Sequence, residues 1–325
     1  MPSHLPGRSD PRLLRESARV ERLTARLASG VLWTLTGGGR DRRISAMIRI
    51  RNEAEFLEPA VRSLAPLADE VVLIDNLSTD GTADAIRRLK SRFPGKIVAY
   101  RYEHDVARVG SETWKLATEP VGARSPRLCS NYYNWCLERC NGPYVLKWDG
   151  DMIAVESFRQ ELQRWKRGGD QVLVMQGVNV HPSLEHVVVA KNTDRTSLLE
   201  RLEVPGLPLW VTRLTRDYPE PRVFPKLFAH YSSDSLWTQT LHSPFWNKTS
   251  KRRYSRTLQA PSFLHLKFCK QDPLANYSND LAEVIASNVG RGNRLEPAHR
   301  EELVRWGIVG HESATTSTIR SVVED

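Results

Sequence analysis

Lys147-Trp148-Asp149-Gly150-Asp151-Met152 is the stretch on which the reading of this chain turns. It follows Tyr144-Val145-Leu146, an apolar run of strand type introduced by the turn pair Gly142-Pro143. Successive residues of an extended strand face opposite ways, so two acids can serve one site only where the backbone bends, and a glycine between them allows that. Two such carboxylates suit a hard cation, Mg²⁺ or Mn²⁺, which takes one or two carboxylates and completes its shell with substrate phosphates. A polar turn has the same composition, so the residues upstream must decide between the two.

Upstream the chain alternates strand and helix patterns from residue 44. Ile44–Arg51 (ISAMIRIR) reads as a strand, and Asn52-Glu53 opens a helix with Leu57, Val61 and Leu64 on one face. Glu70–Asn76 (EVVLIDN) is a continuous apolar run, as a parallel strand covered on both faces requires. Ser78–Thr82 is a turn rich in capping residues, after which Ile86, Leu89 and Phe93 mark a second helix. Lys96–Tyr102 is a third strand, and Leu128–Cys140 a helix leading into the Asp-Gly-Asp strand. Beyond it come a helix over Glu156–Arg167 and a strand over Gln171–Val180. Such alternation implies a mainly parallel α/β sheet with right-handed crossovers. Residues 103–127, holding Arg108, Lys115, Arg124 and Arg127, read as a long functional loop. From 181 onward the pattern gives way to Pro- and aromatic-rich segments, Glu203–Trp210 and Pro219–Phe228 among them.

The three expected parts are therefore 1–43, 44–180 and 181–325. Hydrophobic residues make up 40% and charged residues 26%, which is ordinary for a globular chain and excludes a disordered or fibrous one. The net charge of +9 is uneven: residues 1–43 hold nine arginines against four acids, so five of those nine charges lie there. In Arg12–Leu35 the apolar Leu13, Val20, Leu23, Leu27 and Val31 recur at helical spacing among Arg12, Arg15, Arg19, Arg22 and Arg26. Two readings stand open for it: a helix packed on the domain, or peripheral contact of residues 1–36 with an anionic membrane face. Gly37-Gly38-Gly39 follows as a flexible joint. Four cysteines without zinc-ligand spacing, no signal-peptide pattern and no bilayer-length apolar run give a cytoplasmic expectation, peripheral to the inner face of the membrane if the second reading holds. The basic charge has no aromatic platform beside it, so nucleic acid is not an expected partner.

Taken together, Ile44–Leu64, Glu70–Thr82 and Asn134–Met152 resemble the family 2 glycosyltransferases of the GT-A fold. The likeness rests on Asn-Glu at a strand end, an Asp-x-x-Ser-x-Asp-x-Thr turn, and an Asn placed 15 residues before Asp-x-Asp, as Asn134 is before Asp149. It implies an open, mainly parallel nucleotide-binding sheet with helices on its faces and an irregular C-terminal acceptor region. It also implies transfer of a sugar from a nucleotide-diphosphate donor to a hydroxyl of a glycan or lipid-linked acceptor, with inversion and a divalent cation. By the same resemblance Asp75 contacts the nucleotide base, while Arg51, Asn52, Glu53, Asn76, Asn134 and Asp149 line the donor. Asp151, with Asp149, holds the metal, and the resemblance also admits a histidine from a late segment, for which His265 is the candidate. His265 stands in Phe263–Phe268, whose alternation puts His265, Lys267 and Cys269 on one strand face.

The chain departs from the family twice. Tyr133 precedes Asn134 where an arginine is frequent, and the acid pair that deprotonates the acceptor is missing. Asp234 is the candidate base, with Glu220 behind it, although Asp234 also reads as a helix N-cap before Leu236 and Trp237. A retaining transferase and a non-catalytic carbohydrate-binding or membrane-associated scaffold of the same fold therefore stay open. Trp210, Trp237 and Trp246 suit either an acceptor surface or a core.

Overall fold

In a computed structural model the chain is described over residues 31, 41–119, 122–168, 170–190, 216–233, 240–246 and 254–309. The expected N-terminal helix and glycine joint (Val31 apart), Asp234, Trp210 and Trp237 lie outside these residues.

Strands β1 (Ile44–Ile50), β2 (Glu70–Asp75), β3 (Ile97–Arg101) and β4 (Tyr144–Asp149) lie parallel in the order β3-β2-β1-β4. All four fall within a residue or two of the sequence expectation; β1, β2 and β4 are runs buried on both faces, whereas β3, at the sheet edge, is buried only at Ile97. Side chains sort by parity. Ile44, Ala46, Ile48 and Ile50, with Tyr144, Leu146 and Trp148, join one core; Met47 and Val145 join the other. Helices α1 (Leu57–Leu64) and α2 (Thr82–Arg92) cover the first face through Leu57, Ala60, Val61, Leu64, Ala85 and Leu89. Helix α3 (Ser111–Thr118) and a 3₁₀ turn at Gly122–Arg124 lie in the stretch expected to be a bare loop. Helix α4 (Cys129–Glu138) packs Tyr132, Tyr133, Cys136 and Leu137 against the second face.

Short strand β5 (Met152–Ala154) and helix α5 (Glu156–Lys166) precede β6 (Val172–Asn179). The sheet continues past β4 through chain segments that come much later. Strand β7 (His186–Ala190) stands apart from it, and β8 (Arg216–Pro225) inserts antiparallel between β4 and β6. The Pro-rich segment expected to be irregular is thus a central strand. Its ladder with β6 shifts register between Leu173 and Val174 and between Met175 and Gly177, flanking Pro221 and Glu220, and such irregularities are where prolines fit in a sheet. Strands β9 (His230–Ser232) and β10 (Thr240–His242) form a separate hairpin, while β11 (Ser255–Thr257) and β12 (Phe263–His265) pair parallel with β6. The sheet therefore runs across the 180/181 boundary, ending with β5 antiparallel to β12. Gly177 makes the β6–β12 approach possible, since a Cβ there would sit 2.2 Å from the Phe263 ring. After β12 the chain turns into a 3₁₀ segment, Lys267–Cys269, then helix α6 (Asn279–Asn288), β13 (Val289–Arg294) paired with β7, and α7 (Pro297–Arg305). That 3₁₀ turn corrects the expectation of one strand face for His265, Lys267 and Cys269. Leu266 donates its N–H to the Asp151 carbonyl at 2.9 Å, which ends the extended run.

His181, at the start of the β6–β7 turn, is buried with its Nδ1 accepting the Ser183 N–H at 3.1 Å and no partner for Nε2 among the described residues. Burial, then the nearby His186 and Arg291, push it from 6.5 down to about 4. The folded state therefore keeps it neutral while the unfolded chain takes up a proton near 6.5. This part of the stability is fully present above pH 6.5 and is lost as the pH falls toward 4. Urea denaturation of wild type and His181→Gln between pH 4 and 7 should show a shallower pH slope in the variant; equal slopes would contradict the assignment.

Candidate active site

Strand register assembles the site. In the parallel ladders Arg49 lies opposite Asp149 and Ile50 opposite Asp75, so the carboxyl ends of β1, β2 and β4 reach one edge. Open α/β sheets bind their ligands at that edge. A cleft of about 260 Å³ opens there, lined by Arg51, Glu53, Asn76, Asp149, Asp151 and His265 of the expected residues. Helix α4 adds Cys129, Tyr132 and Tyr133 at helical spacing, and the late segment adds Lys267, Lys270 and Tyr277.

Every carboxylate oxygen of the Asp-Gly-Asp pair faces a nitrogen of the protein. Asp149 accepts from Arg49 through Oδ1 and from Arg222 through Oδ2, the latter at 3.4 Å. Burial alone would raise its pKa, but Arg49 and Arg222, then Lys147 and His265, bring it down to about 2. Asp151 faces His265 Nε2 through Oδ1 at 3.2 Å and Lys270 Nζ through Oδ2 at 2.6 Å. It too would be raised by burial, and Lys270 followed by His265 holds it far below the carboxylate range. Lys270 reaches Glu53 as well, at 2.5 Å from Oε1. Burial opposes the ammonium charge, but Asp151 and Glu53 outweigh it and raise the lysine well above its ordinary value. Glu53 moves the other way: burial and then the charge of Asp151 push it up to about 8, against the pull of Lys270. Its Oε2 is buried without a hydrogen-bond partner among the described residues.

Gly150 owes its place to this crowding. A Cβ there would meet Glu53 Cγ at 2.9 Å, whereas its φ is not in the left-handed region, so close packing rather than a bend requires the glycine. Behind the pair, Lys147 and Arg222 both hold Glu220, Lys147 at 2.8 Å. Burial raises Glu220, yet Arg222 and Lys147 bring it below its ordinary value, so it is a poor proton acceptor. Tyr133, at the position where the family often has arginine, puts its ring 3.9 Å under the Arg49 guanidinium. The cation beside Asp149 thus comes from β1, and the aromatic ring supports it.

The remaining expected residues divide. Arg51 Nη1 pairs with Asp105 at 2.7 Å and reaches Asn76 Oδ1 at 3.4 Å, while Asn76 Nδ2 donates to the His104 carbonyl at 2.7 Å. Asn52, at φ 55°, accepts the Thr79 N–H at 2.8 Å and fixes the turn after β2. Asp75 is buried, outside the cleft lining, and accepts the Ser78 N–H at 3.2 Å. Asn134 also lies outside the lining and clips α4 to β9, donating to the Tyr231 carbonyl at 2.8 Å and accepting its N–H at 2.7 Å. Reading the sequence alone missed Lys270, Arg49 and Arg222 as partners of the acids. Arg49 had a local signal, since it stands two residues from Arg51 on the same strand face; the other two had none.

The residues as arranged do not fit a divalent ion held by Asp149, Asp151 and His265. Among the described residues no three His, Cys, Asp or Glu side chains form a metal-ligating group. Both Asp149 oxygens face arginines, and a dication on Asp151 would meet the Lys270 ammonium as a like charge at contact distance. No helix among the described residues is long and apolar enough to cross a membrane.

Residues 45–107, which span β1 to β3, match the sequence model of the family described as Glycosyl transferase family 2. That segment is similar to the glycosyltransferase family the sequence resembles, and the expected α/β sheet holds. No curated protein matches the chain. Among solved structures, S. aureus TarS 1–349 in complex with UDP-GlcNAc aligns over 81% of this chain and 71% of its own, at 16% identity and TM-score 0.40. Glucosyl-3-phosphoglycerate synthase from Mycobacterium tuberculosis, in complex with Mn²⁺, UDP and phosphoglyceric acid, aligns over 61% of this chain and 60% of its own, at 19% identity and TM-score 0.30. The assignment rests on the matched segment and on the geometry above.

The two acids should respond differently to neutralisation. Asp149→Asn leaves Arg49 without its carboxylate, while Arg222 keeps Glu220, and should cost roughly 3–5 kcal/mol of unfolding free energy. Asp151→Asn leaves Lys270 still paired with Glu53 and should cost less. Equal losses in urea denaturation would contradict this division.

Proposed function

We propose that the chain transfers a sugar from a nucleotide-diphosphate donor to an acceptor hydroxyl, as a GT-A enzyme. One observation carries the reading: the acids of β4 stand in a cation-lined cleft at the carboxyl edge of the same sheet whose first three strands are the family 2 segment. Arg51, Arg108, Lys267 and Lys270 line that cleft and suit a diphosphate, and Asn76 suits the nucleoside end. Asp75 and Asn134 act by shaping the edge, Asp75 through the Ser78 turn and Asn134 through β9.

Transfer with inversion is a single displacement. The bond from the anomeric carbon to the phosphate oxygen breaks and its electron pair stays on the diphosphate. The acceptor oxygen bonds to the anomeric carbon, and its proton passes to a base. Glu220 is held anionic by Lys147 and Arg222 and is unsuited to that role. Asp234 keeps it as a proposal from the sequence, as does acceptor recognition by residues beyond 180. The acceptor class is a glycan or a lipid-linked hydroxyl, and residues 1–36 are proposed to hold the enzyme on an anionic membrane face, inside the cell.

Thermal-shift titration with UDP-, GDP-, dTDP- and ADP-sugars should find one base series that stabilises the protein, by about 2.7 kcal/mol at a hundredfold excess over Kd. Slow release of the matching nucleoside diphosphate should accompany it. No shift with any series would remove the transferase reading.

The membrane reading has its own test. Five arginines between Arg12 and Arg26, at about 1 kcal/mol each near an anionic surface, should make the full chain sediment with phosphatidylserine vesicles at low salt and release as salt rises. A chain starting at Arg42 should stay in the supernatant; equal sedimentation would assign the helix to packing on the domain.

A further inference from the structure

The transferase reading names several cations for the diphosphate without saying which of them is fixed in place. Lys270 Nζ stands between Asp151 Oδ2 at 2.6 Å and Glu53 Oε1 at 2.5 Å, in the lining of the cleft. We infer that the Lys270 ammonium is the fixed cation of this site and donates its remaining hydrogen to the donor diphosphate, so that donor binding needs no divalent metal. The inference rests on the transferase reading and concerns only how its donor is held.

Three observations converge on it. The first is placement. The backbone leading into Lys270 is tied down: Leu266 donates to the Asp151 carbonyl at 2.9 Å and Cys269 donates to the Leu266 carbonyl at 2.8 Å. The Cys269 thiol reaches the Val180 carbonyl at 3.5 Å. A lysine on a loose loop would sample many rotamers; this one is delivered to a fixed point with its side chain 14% exposed.

The second is charge. Asp149 is matched by Arg49 and Arg222, and Asp151 by Lys270 and His265. A dication entering on Asp151 would have to expel the ammonium from a pair of carboxylates and rebury it elsewhere. An incoming diphosphate needs no such exchange, since an ammonium has three donor hydrogens and the two carboxylates use two. The third hydrogen is left for an oxygen of the ligand.

The third is the donor set. Glu53 reaches Lys270 through one oxygen while its other is buried without a partner among the described residues, so the lysine, rather than a metal, is what the two acids converge on. Their role is then to aim a cation, and the leaving diphosphate is met by a donor that cannot be chelated away.

The test uses the full chain with UDP, GDP, dTDP and ADP as probes in calorimetry, each with EDTA and with Mn²⁺. One of the four should bind, with its Kd changed less than threefold by EDTA. Lys270→Met should weaken it at least tenfold in EDTA, and Lys270→Arg should restore most of the loss. If Lys270→Met proves poorly folded by near-ultraviolet circular dichroism, the wild-type arms still decide, because Mn²⁺ electron paramagnetic resonance should show no submillimolar uptake by the wild type. Binding that EDTA abolishes, or Mn²⁺ taken up by Asp151 in the wild type, would overturn the Lys270 assignment and leave the transferase reading standing. If none of the four binds under either condition, both readings fall.

Discussion

The structure depends on keeping two acids charged at one crowded sheet edge. Asp149 and Asp151 converge there with Glu53, and an unpaired carboxylate as buried as Asp151 would cost several kcal/mol. The fold answers with cations from three places: Arg49 on β1, Arg222 on β8 and Lys270 after the 3₁₀ turn. Each cation is itself steered by a neighbour, Arg49 by the Tyr133 ring and Arg222 by Glu220 and the Phe263 ring. Much of the architecture past residue 180 serves to bring these groups in. An ion pair of this kind is poor evidence of stability, because a well-packed apolar replacement would often do as well. Its persistence at this edge points to use.

Much of the first half was legible in the sequence because its signals are local. A parallel strand covered on both faces must be apolar throughout, and EVVLIDN and YVLKWD say so without help from the rest of the chain. The edge of the sheet followed from the strand ends, so Glu53, Asn76, Asp149 and Asp151 were found together. His265 was a candidate because the resemblance admits a late histidine, and its strand pairs with β5 beside Asp151. What stayed hidden was of two kinds. Strand β8 carries Pro219 and Pro221, which argue against a central strand unless the neighbouring ladder breaks register, and register breaks leave no mark in one sequence. Lys270 and Arg222 belong to distant segments, and no spacing rule connects Lys270 with Glu53 across 217 residues.

Asn134 and Asp75 show how a motif can survive with a structural task. Both amide atoms of Asn134 are spent on the Tyr231 backbone, and Asp75 caps a turn at Ser78. Their spacing relative to Asp149 brought the family to mind, yet their contacts position elements rather than meet the cleft. Gly150 likewise keeps its place for closeness to Glu53. Motif residues and contact residues are therefore overlapping sets, and geometry separates them.

The insertion of β8 between β4 and β6 has a consequence for synthesis on the ribosome. Strands β1 to β4 can pair as soon as residue 149 has emerged, since their partners are all upstream. β4 then presents an open hydrogen-bonding edge until residues 216–225 arrive, and Asp149 waits 73 residues for Arg222. During that interval a nascent chain exposes an apolar strand edge of the kind that pairs with the wrong partner. Contacts this distant also slow the final closure, because a long loop must be ordered before the pairing repays it. The active-site edge is thus among the last parts of the molecule to be finished, and the chain acquires its charge balance only after most of its sheet is built.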